Sequence, residues 1–243
     1  MLNVRNKWFV ALVKFEFYVN ERICLSLLQK YDIFKKNQLW IMLKLFDFFY
    51  KNRHNINMEE KIILWLQSHS HKFLDVFMQG ESYLASWIGA VCMFLIIIFF
   101  VNKKFGLYFG AGFLISIGVN FAIKEIVARP RPYVANPEIV NKLTTIGKSF
   151  PSGHSVSVIF MVITLLYLFH FLYKQGRLKI YKKLWFRILC YTLSVVFVVL
   201  TAISRMYLGQ HYLSDIIAGL TLGSLGFVIT WLVIRKKLVN NQK

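Results

Sequence analysis

Three short stretches of this chain hold residue types that handle phosphate. The first runs from Lys124 to Pro132 and includes Arg129 and Arg131. Pro130 and Pro132 end any helix here and force each preceding arginine into extended backbone. Arg131 is thereby held with its planar fork free to pair with two phosphate oxygens, and Lys124 adds a point charge further back on the helix. The second stretch is Phe150-Pro151-Ser152-Gly153-His154, a helix start whose unpaired N–H groups favour an anion. Gly153 lets an oxyanion approach the backbone, Ser152 adds a hydroxyl, and His154 can give or take a proton. The third stretch runs from Ser204-Arg205 to His211 and Asp215. His211 and Asp215 are four residues apart and share a helix face. A carboxylate so placed can bind one imidazole nitrogen and leave the other free to attack.

Each stretch alone has a plainer explanation: a snorkelling lysine beside a basic loop, a capped helix with an interfacial histidine, or an Asp–His pair closing a helix. Together they put three cations, two histidines, a carboxylate and a helix start on one face of one bundle. Lys124, Arg131 and Arg205 would repel a divalent metal, so neither a metal nor another cofactor is expected. The same charges would attract a phosphoryl group and its transition state. Phosphoryl transfer through histidine is the chemistry these residues support.

The elements that must position them are membrane helices. The chain has 243 residues, 57% of them hydrophobic, with a net charge of +19. A nucleic-acid binder would carry its charge as a stripe on a polar fold, whereas these charges sit between long apolar runs. Five runs, near 84–101, 105–123, 155–173, 184–203 and 212–234, have the roughly 18–23 residues that cross a bilayer. Only helices satisfy their own backbone there, so the expected fold is an all-α polytopic membrane bundle of five to six spans. Residues 59–78 are too polar in the middle to span cleanly. They read as one amphipathic helix lying on the outer side, with a sixth span as the alternative. His69 and His71 within them have no partner ligands at suitable spacing and read as a wetted interfacial pair.

Loop charge sets the orientation. Lys103 and Lys104, the lysines and Arg177 between 174 and 183, and Arg235, Lys236 and Lys237 fall on one side if the five spans alternate, which makes that side cytoplasmic. The site stretches then share the extracytoplasmic face. Cys24, Cys92 and Cys190 lie far apart and read as small buried hydrophobes, and no cleavable signal peptide is evident. Residues 1–57 form a separate basic, aromatic-rich extension without Gly or Pro. They read as amphipathic helices preceding a membrane domain over 58–243. Their charge conflicts with an outer location, which an extra crossing or a true start at Met58 would repair.

The patterns K-x6-RP, PSGH and SR-x5-H-x3-D, in this order, resemble the type 2 phosphatidic acid phosphatase family. They stand here as Lys124…Arg131-Pro132, Ser152-Gly153-His154 and Ser204-Arg205…His211…Asp215. The resemblance covers roughly 58–243. It implies that His211 is the nucleophile that becomes phosphohistidine, that Asp215 orients it, and that His154 protonates the leaving oxygen and then activates water. Lys124, Arg131, Ser152, Gly153 and Arg205 would cradle the phosphate. Family members hydrolyse phosphatidic acid, phosphatidylglycerol phosphate, diacylglycerol diphosphate or undecaprenyl diphosphate without Mg²⁺. A membrane lipid phosphate is therefore the expected partner. Vanadium haloperoxidases share the same cradle with vanadate as cofactor, but they are soluble, and the five spans weigh against them. A lipid phosphotransferase and a non-enzymatic lipid-binding or transport protein are the remaining alternatives.

Overall fold

The computed structural model describes residues 56–240 except Thr144 and Ile146. The extension assigned to 1–57 therefore lies almost wholly outside the described residues, as does Cys24. Among the described residues all regular structure is helical. Helix α1 spans Ile56–Ser68, α2 Lys72–Leu84, and α3 Trp87–Ile96 with a π-helical continuation over Ile97–Val101. Helices α4 Lys103–Val127, α5 Gly153–Lys174, α6 Leu184–Tyr207 and α7 Leu213–Asn240 complete the bundle.

Four of these helices, α4 to α7, are each long and apolar enough to cross a membrane. The fifth span differs from the sequence expectation. It does not start at Leu84, because the chain breaks at Ala85–Ser86, where the Ser86 side chain caps α3 by accepting from the Ile88 and Gly89 amides. Only α2 and α3 together, bent by 52°, pass as a single crossing. The amphipathic segment at 59–78 is likewise two helices rather than one. It breaks at 69–71, where the His71 ring accepts from the Leu74 amide as the N-cap of α2. His69 is exposed and bonds back to the Trp65 carbonyl at 2.9 Å. Cys92 is exposed and Cys190 is half-buried, so neither is the buried residue expected. Lipid tails would cover both.

Phenylalanines hold the bundle together. Phe94, Phe105, Phe109, Phe113, Phe160 and Phe227 are buried in one cluster contributed by α3, α4, α5 and α7. Phe105 and Phe109 stand 4.5 Å apart, and Phe113 meets Phe160 edge-on at 5.6 Å. Lipid tails supply no hydrophobic drive between helices, so close packing and small residues must bring them together. α7 does this with Gly219 and Gly223. A Cβ on Gly219 would stand 2.4 Å from the Ser152 carbonyl, and one on Gly223 would stand 2.5 Å from that of Val156. Helix α6 is different. Its apolar length faces outward, and only its last two turns, with Thr201, Ser204, Arg205, Met206 and Tyr207, are buried.

The two ends of the bundle have different chemistry. At one end the Arg177 guanidinium donates to the Val101 carbonyl at 3.2 Å, tying the basic α5–α6 loop to the α3–α4 junction with Lys103 and Lys104. The opposite end gathers the close of α4, the start of α5, the close of α6 and the start of α7. The long loop between α4 and α5 is fastened there by α1 and α2. Gln67 bonds both the amide and the carbonyl of Val140, and Lys142 pairs with Asp75 at 2.7 Å.

Candidate active site

At that end a cavity of about 150 Å³ opens between the helices. Lys124, Arg131, Gly153, His154, Arg205 and His211 all line it, brought together from three stretches of sequence. Asp215 and Ser152, from the same set, lie behind the wall.

His211 sits in the turn between α6 and α7 and is 2% exposed. The turn is made by Gly209, at φ +73°, where a Cβ would stand 2.7 Å from the Val140 carbonyl. A side chain is excluded there both by conformation and by space. The Nδ1 atom of His211 is 3.6 Å from Asp215 Oδ2 and 3.5 Å from the Ser149 hydroxyl. That leaves Nε2 as the nitrogen turned away from the carboxylate. Burial, with the charges of Lys124 and Arg131, pushes the imidazole down to about 3 against the upward pull of Asp215. The ring is therefore neutral and retains a lone pair.

Asp215 has no exposed surface. Its Oδ2 accepts from the Tyr212 amide at 2.9 Å and from the Ser149 hydroxyl. Its Oδ1 accepts from Arg129 at 2.7 Å. Arg129 is thus committed away from the cavity. Its second nitrogen reaches Glu59 of α1 at 3.1 Å, and its guanidinium lies 4.0 Å above the Tyr212 ring. Glu59 in turn accepts from the Ser214 amide at 2.7 Å. A carboxylate–arginine–carboxylate chain, half-buried at Glu59 and fully buried at Asp215, fixes the start of α7, and with it the Asp215 carboxylate.

The remaining cations are held by carbonyls or left partly free. Lys124 donates to the carbonyls of Lys148 and Ser149 at 3.0 and 3.1 Å. Arg131 donates to the carbonyl of Gly147 at 3.0 Å and to the side chain of Gln210 at 2.8 Å. Ala128 makes this reach possible: it closes α4 in the left-handed conformation, φ +50°, and turns the chain toward Arg131. Arg205 is 1% exposed and donates to Ser204 at 3.2 Å, while its Nε finds no partner among the described residues. A buried guanidinium with an unused donor on a cavity wall fits an anion within the cavity.

His154 begins α5, with its Nε2 atom 3.4 Å from the Ser82 hydroxyl of α2. Ser152 has no exposed surface, and its hydroxyl accepts from the Ser155 amide at 3.3 Å. In this structure it caps α5 rather than facing the cavity. Sequence reasoning did not single out Glu59, Ser82, Ser149 and Gln210. Arg129 was seen only as part of a motif. Their partners lie about 60 to 160 residues away, and nothing in the local pattern marks them.

Known proteins resemble this chain over much of its length. Residues 105–238 match the model of the PAP2 superfamily. The chain is 31% identical over 167 residues to the undecaprenyl-diphosphatase of Sulfolobus acidocaldarius, covering 68% of this chain and 71% of that protein. It is 29% identical over 155 residues to mouse dolichyldiphosphatase 1, covering 63% of this chain and 62% of the mouse protein. Among solved structures, a transmembrane PAP2-type phosphatidylglycerolphosphate phosphatase from Bacillus subtilis superposes with a TM-score of 0.64 at 25% identity. That superposition covers 80% of this chain and 96% of the other. The chain accordingly belongs to the PAP2 superfamily, as a multi-pass membrane phosphatase.

Proposed function

We propose that this protein hydrolyses a membrane lipid phosphate or diphosphate through a phosphohistidine on His211, without a metal, at the extracytoplasmic face. The observation that carries the reading is the position of the His211 ring on the cavity wall. Its Nδ1 is turned to buried Asp215, and Lys124, Arg131 and Arg205 stand around the same space. Those three charges bind the oxygens of the terminal phosphoryl group and stabilise the charge spread over them in the transition state. His211 Nε2 attacks phosphorus, and the bond from phosphorus to the lipid oxygen breaks. The departing oxygen takes a proton from His154. The imidazolium that forms at His211 is stabilised by Asp215 through Nδ1–H. Water then gives a proton to His154 and attacks phosphorus, the P–N bond breaks, and inorganic phosphate leaves with His211 neutral again. Asp215 does not change protonation state. Its fixed position matters, and Arg129, Ser149 and the Tyr212 amide supply it.

The cavity wall favours an anion over a divalent metal for the same electrostatic reason. The face is supported by the basic loops at the opposite end of the bundle.

Phosphate release by the detergent-purified protein in excess EDTA tests this reading. The substrates are a prenyl diphosphate, a phosphatidic acid and a phosphatidylglycerol phosphate, with His211→Ala run alongside. EDTA-resistant release that disappears in the variant is expected. Release that EDTA abolishes, or that survives in His211→Ala, would remove the proposed chemistry.

A further inference from the structure

Helix α2 brings to the closing turns of α6 a carboxylate that the hydrolysis just described does not use. Glu81 is 6% exposed, and its Oε1 accepts from the Thr201 hydroxyl at 2.5 Å. Its Oε2 has no hydrogen-bond partner among the described residues. A carboxylate buried in a bundle of membrane helices is expensive and marks function more often than packing. Glu81 also lies outside residues 105–238, the stretch that matches the superfamily model, so the family motifs give it no role.

The group it serves is Arg205. Arg205 follows Thr201 by four residues, so Glu81 meets α6 on the helix face that carries the guanidinium, about one turn away. Neighbouring contacts bind α2 to the same turns: the Met78 carbonyl accepts from the Ser204 hydroxyl at 3.0 Å, and Ser204 accepts from Arg205. Of the charges around Arg205, that of Glu81 acts on it most strongly. A buried guanidinium needs a compensating negative charge. An anion in the cavity supplies one during the reaction. Glu81 supplies one between turnovers, from behind the wall, since it does not line the cavity itself.

Two negative groups then share one cation. Lys124, Arg131 and Arg205 line the cavity, and no carboxylate does so among the described residues. Three cations unopposed would hold the phosphate product as firmly as the transition state that precedes it. A carboxylate behind Arg205 opposes them without displacing the substrate.

Resting on the phosphate cradle proposed above, we infer that Glu81 is a positioning residue that acts through Arg205. Its buried charge holds the guanidinium in place while the cavity is empty and weakens the grip of the cavity on phosphate, so that the product leaves.

Calorimetric titration of the full chain in detergent with inorganic orthophosphate tests this without requiring turnover. Glu81→Gln keeps the shape of the side chain and removes its charge. It should tighten orthophosphate binding by about tenfold, the scale of one charge acting over roughly 10 Å at an effective dielectric of about 20. The inhibition constant of orthophosphate as a product inhibitor should fall by the same factor. Thr201→Val removes the hydrogen bond but not the charge, and should leave both constants within about twofold of wild type. A merely structural Glu81 has the opposite signature, because a displaced Arg205 binds phosphate less well. Weaker or unchanged binding in Glu81→Gln, or equal tightening in Thr201→Val, would overturn the inference. If Glu81→Gln fails to fold, the double variant Glu81→Gln/Arg205→Gln should fold, since no charge is left uncompensated. A double variant that also fails would make Glu81 a packing residue and overturn the inference. Tightening without any lipid phosphate hydrolysis would refute the proposed reaction alone, whereas a wild type that binds no orthophosphate would remove the cradle and the role of Glu81 together.

Discussion

Arg129 and Arg205 are both buried arginines close to His211, yet their environments are opposite. Arg129 bonds two carboxylates and covers an aromatic ring, whereas Arg205 has no carboxylate bond among the described residues and faces the cavity. The first is a structural cation and the second is poised for a ligand. Arg129→Ala should therefore destabilise the fold by about 3 kcal/mol or more, because it leaves Asp215 buried without its strongest partner. It should also lower kcat, and thermal unfolding together with phosphate release would show both. Arg205→Lys should leave the melting temperature nearly unchanged and cut kcat/KM at least tenfold, since an ammonium cannot copy a bidentate fork. An unchanged rate in Arg205→Lys would assign that residue to packing. His211 gives a pH prediction. Its folded pKa of about 3 lies below the ordinary 6.5, so as pH falls the unfolded chain takes up this proton first. The residue destabilises the fold progressively between those values and is without effect above the upper one. Without substrate, NMR of histidine-labelled protein should show His211 neutral from pH 5 to 8. A titration near 6.5 would contradict the buried, cation-flanked site. At this scale the sequence was informative wherever a motif keeps chemical residues close together, as with His211 and Asp215. It was silent where the partner is remote. Arg129 and Arg131 are separated by one proline, and only the positions of Glu59 and Asp215 show which one turns away from the cavity.

At the scale of elements, the site depends on how closely α7 approaches α5 and on the turn before His211. Gly219→Val would drive a side chain into the Ser152 carbonyl, and Gly209→Ala would strain a left-handed turn while meeting the Val140 carbonyl. Each should cost about 1–3 kcal/mol, the typical scale of overpacking or a strained backbone. Each should also depress activity beyond the fraction unfolded, since His211 and Asp215 move with α7. Wild-type kcat in a melted-down Gly219→Val variant would show that the helix approach is not needed for the site. The apolar runs gave four of the spans nearly to their ends, because a bilayer demands length and hydrophobicity that sequence displays directly. The region from 56 to 101 was misread for the opposite reason. Its breaks at 69–71 and 85–86 are set by single caps, His71 and Ser86. Local caps of this kind are common in sequences and become decisive only when the packed neighbours fix the turn.

For the whole molecule, the two ends of the bundle carry different tasks: basic loops at one, the phosphate cavity at the other. In a background without the native cysteines, Glu138→Cys should react with a membrane-impermeant maleimide in intact cells. Lys174→Cys should react only after permeabilisation. The reverse pattern would put the cavity on the cytoplasmic side and leave the positive loops outside. The most direct test of the account is covalent. A lipid diphosphate labelled in its terminal phosphoryl group should be mixed with protein and quenched in base within one turnover. His211→Ala should be run alongside. An acid-labile, base-stable phosphate is expected on the peptide containing His211, and none in His211→Ala. Turnover without that label, or a phosphate carried by another residue, would contradict it.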